Sequence, residues 1–243
     1  MDISTDWPAI LIIFLIMTAT SAIHGSVGYG LNIMAGPIVV LLEPQLAPGP
    51  LLVGGFVLTL LILLRERQGI DLGGLSWMLS GRVIGTIAAT MLLAVLTGKA
   101  VPLIFGCLVL AAVWMSLTGR HFAPSRPVKF VAGIASGIMG TLAAIGGPPA
   151  ALVYQDKSGS ELRSTLSGFF VFGSLISLAG LFSAGKLGQV ELKLCLLVIP
   201  GVVTGFFLSP LLIRRLNRKN TRLVILGISF AAGVFLILET LFG

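Results

Sequence analysis

Two stretches constrain this chain more than anything else in it. Ser21–Pro37 reads SAIHGSVGYGLNIMAGP and Ser136–Pro149 reads SGIMGTLAAIGGPP. Each opens as an apolar helix, dissolves into glycines and small polar residues, and resumes as a short apolar run. No charged residue lies between Pro8 and Leu42 or between Ala132 and Gln155. A break in a hydrocarbon surround finds no water for its backbone groups, so it must face protein or line a wet cavity. The first six residues align without a gap, Ser21 on Ser136, Ile23 on Ile138, Gly25 on Gly140 and Ser26 on Thr141. Interrupted apolar segments at corresponding places in two halves point to the substrate site of a secondary transporter.

Composition sets the class. Of 243 residues, 56% are hydrophobic and only 10% charged, and mean hydropathy is +1.06; soluble domains carry roughly 25% charged residues. The apolar runs are continuous and about as long as a bilayer core is thick, which excludes the short alternating strands of a barrel. The expected class is an all-α polytopic membrane protein. A net charge of +7 would suit nucleic acid if the basic residues shared one face, but they are scattered over loops. Cys107 and Cys195 have neither disulfide nor metal-ligand spacing and read as core filler. No metal or cofactor is expected. Ala19–Ala22 vaguely resembles a cleavage site, yet the preceding segment carries Asp2 and Asp6 with no Lys or Arg, so it reads as a first helix.

Helices are expected over Pro8–His24, Leu31–Leu42, Pro50–Leu64, Leu75–Leu96 and Val101–Leu117. A second set follows over Val128–Met139, Pro148–Gln155, Leu162–Ala184, Leu192–Leu216 and Thr221–Phe242. The breaks are placed at Gly25–Gly30 and Gly140–Gly147. Gly81-x-x-x-Gly85 recurs as Gly201-x-x-x-Gly205 at the matching point of the other half, each pair letting a helix approach closely. The chain therefore divides into a first repeat, 1–118, a linker, 119–127, and a second repeat, 128–243. Arg214, Arg215, Arg218, Lys219 and Arg222 place their loop in the cytoplasm. Walking back, Lys157, Arg163, Arg120, Arg126, Lys129, Arg65 and Arg67 fall on the same side, and Lys99, Lys186 and Lys193 outside. Both termini come out external. Five hydrophobic segments per half is an odd number, so the repeats are inverted, each opening with a broken-helix hairpin.

Helices starting near Leu31 and Pro148 would place free N–H groups and partial positive charge inside the membrane, a setting that favours an anion. The site expected from this is His24, Gly25, Ser26, Gly28, Tyr29, Gly30 and Asn32 with Gly140, Thr141, Gly146, Gly147 and Pro148. Several roles stay open. Ser26 and Thr141 either donate to a ligand or bond back to their own helices. His24 is either a packing residue or a proton carrier. Arg82 either snorkels to the cytoplasmic surface or draws anions into the inner vestibule. Arg163, heading its helix beside the second hairpin, is a further position that could gather anions. Neither HExxH nor GxSxG is present and His121 falls in a loop, so an intramembrane enzyme is not expected. Nor does any soluble signalling domain suggest a sensor subunit.

On GSVGYG followed by Pro37, on GIMGTLAAIGGPP, and on the glycine-bearing fourth helix with its copy, the chain resembles the sulfite exporter TauE/SafE family of bacterial membrane proteins. The likeness implies an inner-membrane carrier that exports sulfur-containing anions such as sulfite or organosulfonates. An anion carrier follows from the residues themselves; the sulfur chemistry comes from the resemblance alone. An inside-negative potential expels anions at about 2.3 kcal/mol per charge per 100 mV, so export needs no dedicated cation site.

Overall fold

The structure is a computed structural model that describes residues 7–66, 69–118, 123–157, 159–213 and 218–242. Those residues are all helical apart from caps and connections. In chain order the helices are α1 (Trp7–Val27), α2 (Leu31–Leu42), α3 (Gly49–Arg65), α4 (Leu72–Val95) and α5 (Ala100–Thr118). They continue as α6 (Arg126–Ala143), α7 (Gly147–Val153), α8 (Gly159–Ser183), α9 (Gln189–Ile213) and α10 (Arg218–Phe242). Six of them, α1, α4, α5, α8, α9 and α10, are long and apolar enough to cross a membrane. Asp2, Asp6, Arg67, Arg120, Arg214 and Arg215, on which parts of the charge-based orientation rest, lie outside the described residues, as does His121.

Both breaks are shorter than the glycines suggest. α1 runs through Gly25 and Ser26 to Val27, and α6 runs through Gly140 and Thr141 to Ala143. A glycine in an apolar surround stays helical because leaving the helix would strand backbone polar groups. The helices end instead where φ turns positive. Gly28 (φ 104) and Gly30 (φ 118) do this in the first break, and Ala144 (φ 57) in the second. Ala144 lacks the glycine's freedom there, but its N–H and that of Ile145 both return to Met139 O, which satisfies the end of α6. Elsewhere the helices begin earlier than the apolar pattern implies. α4 starts at Leu72 because the Asp71 side chain accepts from Gly74 N at 2.8 Å and caps it.

Two seams of small residues hold the bundle. On one, Gly81 and Gly85 of α4 lie against the α6 backbone, so that a Cβ at either would overlap the carbonyl of Phe130 or Ile134; Gly133 of α6 meets Met78 O in return. On the other, Gly201 and Gly205 of α9 lie against Phe14, Met17 and Thr18 of α1. Close backbone approach supplies dispersion contact where apolar burial gives no drive between helices in lipid. Several helix pairs follow one rule. α4 packs on α6 as α9 packs on α1, and α2 meets α10 as α7 meets α5, each pair mapping onto the other when every helix moves five places along the chain.

A polar knot fixes the base of the α6–α7 hairpin. Lys129 Nζ donates to Asp71 Oδ2 at 2.8 Å and Tyr154 Oη to the same oxygen at 3.1 Å. Burial opposes the Asp71 charge, but the donors from Lys129, Gly74 and Tyr154 outweigh it and hold the carboxyl below the usual carboxylate range. Burial, and then the Asp71 charge, push the Tyr154 phenol up.

The seam is testable. Gly85→Ala should destabilise the detergent-solubilised protein by about 1–3 kcal/mol through overpacking, read as a lower midpoint in thermal unfolding. Gly227, whose Cβ would meet nothing within 4 Å, should tolerate alanine with unchanged or slightly raised stability. Equal effects at the two positions would remove the seam as a source of stability.

Candidate functional site

The two breaks meet. Asn32, in the first turn of α2, donates through Nδ2 to Ala144 O of the second break at 2.9 Å and to Leu51 O of α3 at 3.2 Å. A Cβ on Gly147 would sit 3.5 Å from Tyr29 Cβ. Between the breaks lies a cavity. His24, Tyr29, Gly30, Leu31, Asn32 and Ile33 line it from the first hairpin, and Ala144, Ile145, Gly146 and Gly147 from the second. Leu52, Gly55 and Thr59 of α3, Arg82 of α4, and Phe170 and Ser174 of α8 close it.

Arg82 dominates the wall. It is 2% exposed and the largest fully buried side chain among the described residues. Arginine cannot shed its proton to escape burial, and no carboxylate among the described residues pairs with it. Instead Nη1 donates to Ser136 Oγ at 2.7 Å and Ser136 O at 3.3 Å, Nη2 to Ser177 Oγ at 3.4 Å, and the guanidinium lies 5.1 Å from the Phe169 ring centroid. Nε has no partner. Glycines make the room. A Cβ on Gly140 or Gly146 would come within 2.7 Å of a guanidinium nitrogen, and one on Gly173 would overlap Nε. Ser136 Oγ, while accepting from Arg82, donates to Gly146 O at 2.6 Å, so the arginine's seat also fixes the second break. Of the two roles open to Arg82, snorkelling does not occur, because the side chain turns inward across α6 and α8.

His24 has a set tautomer. Leu31 N, the first amide of α2, donates to His24 Nδ1 at 3.2 Å, so the imidazole caps that helix and its proton resides on Nε2. Nε2 is buried without a partner in a side chain that is 6% exposed, and the ring meets Phe170 edge-on at 6.5 Å. Asn32 has a set orientation for a similar reason. Both neighbours of Nδ2 are carbonyls, so Nδ2 must be the amino group and Oδ1 the acceptor left over, and Oδ1 too is buried without a partner.

Of the expected positions, His24, Tyr29, Gly30, Asn32, Gly146, Gly147 and Arg82 border the cavity, whereas Gly25, Ser26, Gly28, Gly140, Thr141, Pro148 and Arg163 do not. Ser26 bonds back to Ile23 O at 2.7 Å, the local alternative open to it. Thr141 instead meets Ser177 Oγ at 2.9 Å and Thr86 Oγ1 at 3.2 Å on neighbouring helices. Arg163 is occupied elsewhere. Its Nε donates to both Glu66 oxygens at 2.8 and 2.9 Å, and Nη1 to Ser26 O at 3.4 Å. Arg65 donates to Gly25 O at 3.0 Å, Ser209 Oγ at 2.8 Å and Glu66 at 3.1 Å. Two arginines thus satisfy the last carbonyls of α1 at its negative pole, with Glu66 as their shared counterion. Ser136, Ser177, Thr59, Ser174 and Phe170 escape a reading of the sequence. Only Ser136 carried a signal, its match to Ser21 in the repeated motif.

A bundle of membrane-length apolar helices around a cavity lined by Arg82 and His24 defines a multi-pass membrane protein. The profile described as "Sulfite exporter TauE/SafE" matches residues 13–236, nearly the whole chain. The chain belongs to that family, and with it to the membrane exporters of sulfite and kindred sulfur anions. Comparison with curated proteins and with solved structures gives no match.

The α1 cap makes its own prediction. Glu66→Gln leaves two arginines at the end of α1 without a counterion and should cost about 3 kcal/mol of stability, as breaking a buried ion pair does. Glu161→Gln, which breaks the exposed pair with Lys157, should change thermal stability by nothing measurable. A Glu66→Gln protein that melts with the wild type would show that Glu66 does not neutralise the cap.

Proposed function

We propose that the chain is a secondary transporter that moves a small sulfur oxyanion outward by alternating access, with the anion held between the two helix breaks against Arg82. The single observation that carries this reading is the Arg82 guanidinium, buried beside the cavity with an unpartnered Nε and no carboxylate in contact. A lone buried cation is expensive unless something neutralises it, and in membrane segments such residues mark the path of a solute. His24 Nε2–H is a second donor at the same cavity. The first turn of α2 adds the positive end of a twelve-residue helix. α7 has only seven residues, so Gly146 and Gly147 contribute close backbone approach more than a dipole.

The halves 1–118 and 128–243 are read as inverted copies joined at 119–127, supported by helix pairings that map onto each other in steps of five. Exchange of the two copies' conformations would open the cavity alternately to either face. The chain is placed in the bacterial inner membrane with both termini outside, supported by the clustering of basic residues on one set of loops.

Efflux from proteoliposomes loaded with sulfite tests the site. Arg82→Gln should lower the initial rate by about 100-fold, the equivalent of ~3 kcal/mol from a lost charge-assisted contact. Arg82→Lys should retain part of it, because the charge survives without the planar fork. Reconstituted Arg82→Gln protein that exports at the wild-type rate would rule Arg82 out as the anion's partner.

A further inference from the structure

Resting on the reading of this cavity as the anion site, we propose that the species bound there is a singly protonated oxyanion, hydrogensulfite rather than sulfite. Its hydroxyl donates to Asn32 Oδ1 while its other oxygens accept from Arg82 and His24 Nε2. Two independent features of the cavity lead there.

The first is charge. Arg82 is the one ionised side chain among the lining residues, and no Asp, Glu or Lys joins it there. His24 is held neutral in form by the Leu31 N–H donated to Nδ1, since a protonated ring could not accept that bond. A monoanion cancels a single guanidinium. A dianion would leave a net negative charge in an apolar enclosure walled by Leu31, Ile33, Leu52, Ile145 and Phe170.

The second is hydrogen-bond polarity. One of the lining residues, Asn32, also carries an acceptor with nothing to accept, Oδ1, in a side chain 9% exposed. The carboxamide cannot turn over to offer its amino group, because Leu51 O and Ala144 O both require Nδ2 where it is. A fully deprotonated oxyanion would set its lone pairs against this oxygen. A hydroxyl-bearing anion satisfies it. A site with a fixed acceptor discriminates strongly against ligands that lack the matching donor, because the buried acceptor is left unpaired. Sulfate, a dianion with no proton at neutral pH, fails on both counts. A sulfonate has the right charge but no hydroxyl on sulfur, and fails on the second alone.

Wild-type protein carries the test, since Asn32 also bridges the two breaks and its variants report on folding as well. Initial efflux is measured from proteoliposomes loaded with sulfite and, separately, with selenite across neutral and mildly alkaline pH, with sulfate and methanesulfonate as competitors. Selenite holds its second proton to a distinctly higher pH than sulfite does. The titratable groups facing Asn32 and Arg82 are His24 of α1, Tyr29 of the first break and Arg82 itself; the lining positions of α2, α3, α8 and the second break supply none. If the protonated anion is the substrate, flux per total anion should fall about tenfold per pH unit once the anion's own proton is lost. The selenite profile should then lie at higher pH than the sulfite profile, sulfate should compete at least about 30-fold more weakly than sulfite at neutral pH, and methanesulfonate should fall between the two. Sulfite flux that is flat with pH, or that falls at one pH for both anions, would overturn this inference and leave Arg82 as the anion's partner standing. No flux of either anion at any pH would overturn the transport reading itself.

Discussion

A guanidinium held deep in an apolar bundle is the condition to which the rest of this structure answers. Its charge cannot be neutralised by proton loss, so the surrounding helices must supply oxygen atoms, an aromatic face and space. Ser136 and Ser177 supply the oxygens and Phe169 the face. Gly140, Gly146 and Gly173 supply the space. The second glycine-rich break therefore serves the protein before it serves any ligand. The carbonyl of Gly146 is tied through Ser136 Oγ to Arg82, and that tie holds the chain where α6 gives way to α7. What the described residues do not supply is a countercharge, which in the proposed reading an anion would bring.

The paired cations at least partly buried in the fold show the contrast. Arg65 and Arg163 share Glu66 and satisfy the carbonyls of Gly25 and Ser26. Lys129 sits on Asp71 and organises the start of α4 and the end of α7. Both assemblies lie at helix ends, where unsatisfied backbone groups and the helix dipole reward a charge of the right sign. Arg82 springs from the middle of α4, and no carboxylate among the described residues pairs with it. These paired charges build the frame, whereas Arg82 lines the cavity.

Much of the frame was legible in the residues. Charge-free apolar runs dictate helices, and the repeated Gly-x-x-x-Gly of α4 and α9 marks the two seams where backbones touch. The extent of the breaks was not legible, because glycine counts alone cannot say which glycine leaves the helix. Gly25 and Gly140 stay inside, and Ala144, with no glycine's licence, takes the left-handed turn. Arg163 shows the same limit for charge. From sequence it stands near the hairpin as a free cation, and only the fold reveals Glu66 brought to it from nearly a hundred residues away. Asn32 lay in the motif, but which of its two amide atoms faces a partner depends on carbonyls of α3 and the second break.

The proposed duplication sharpens what a single charge means. If the halves are copies, Gly81-x-x-x-Gly85 superposes on Gly201-x-x-x-Gly205, and Arg82 falls on Val202. By the gapless alignment of the two motifs, His24 falls on Met139. Both counterparts are buried and apolar. Symmetry would thus give the cavity its shape, two breaks facing one another, while substitution in the first half alone gives it polarity. A second arginine at the matching place would add a second positive charge, and neutralising both would take a dianion or two anions at once. One arginine, with a neutral imidazole and a carboxamide among the lining residues, demands much less. On this proposal, the asymmetry between the halves would set the charge of the solute, and their likeness its place.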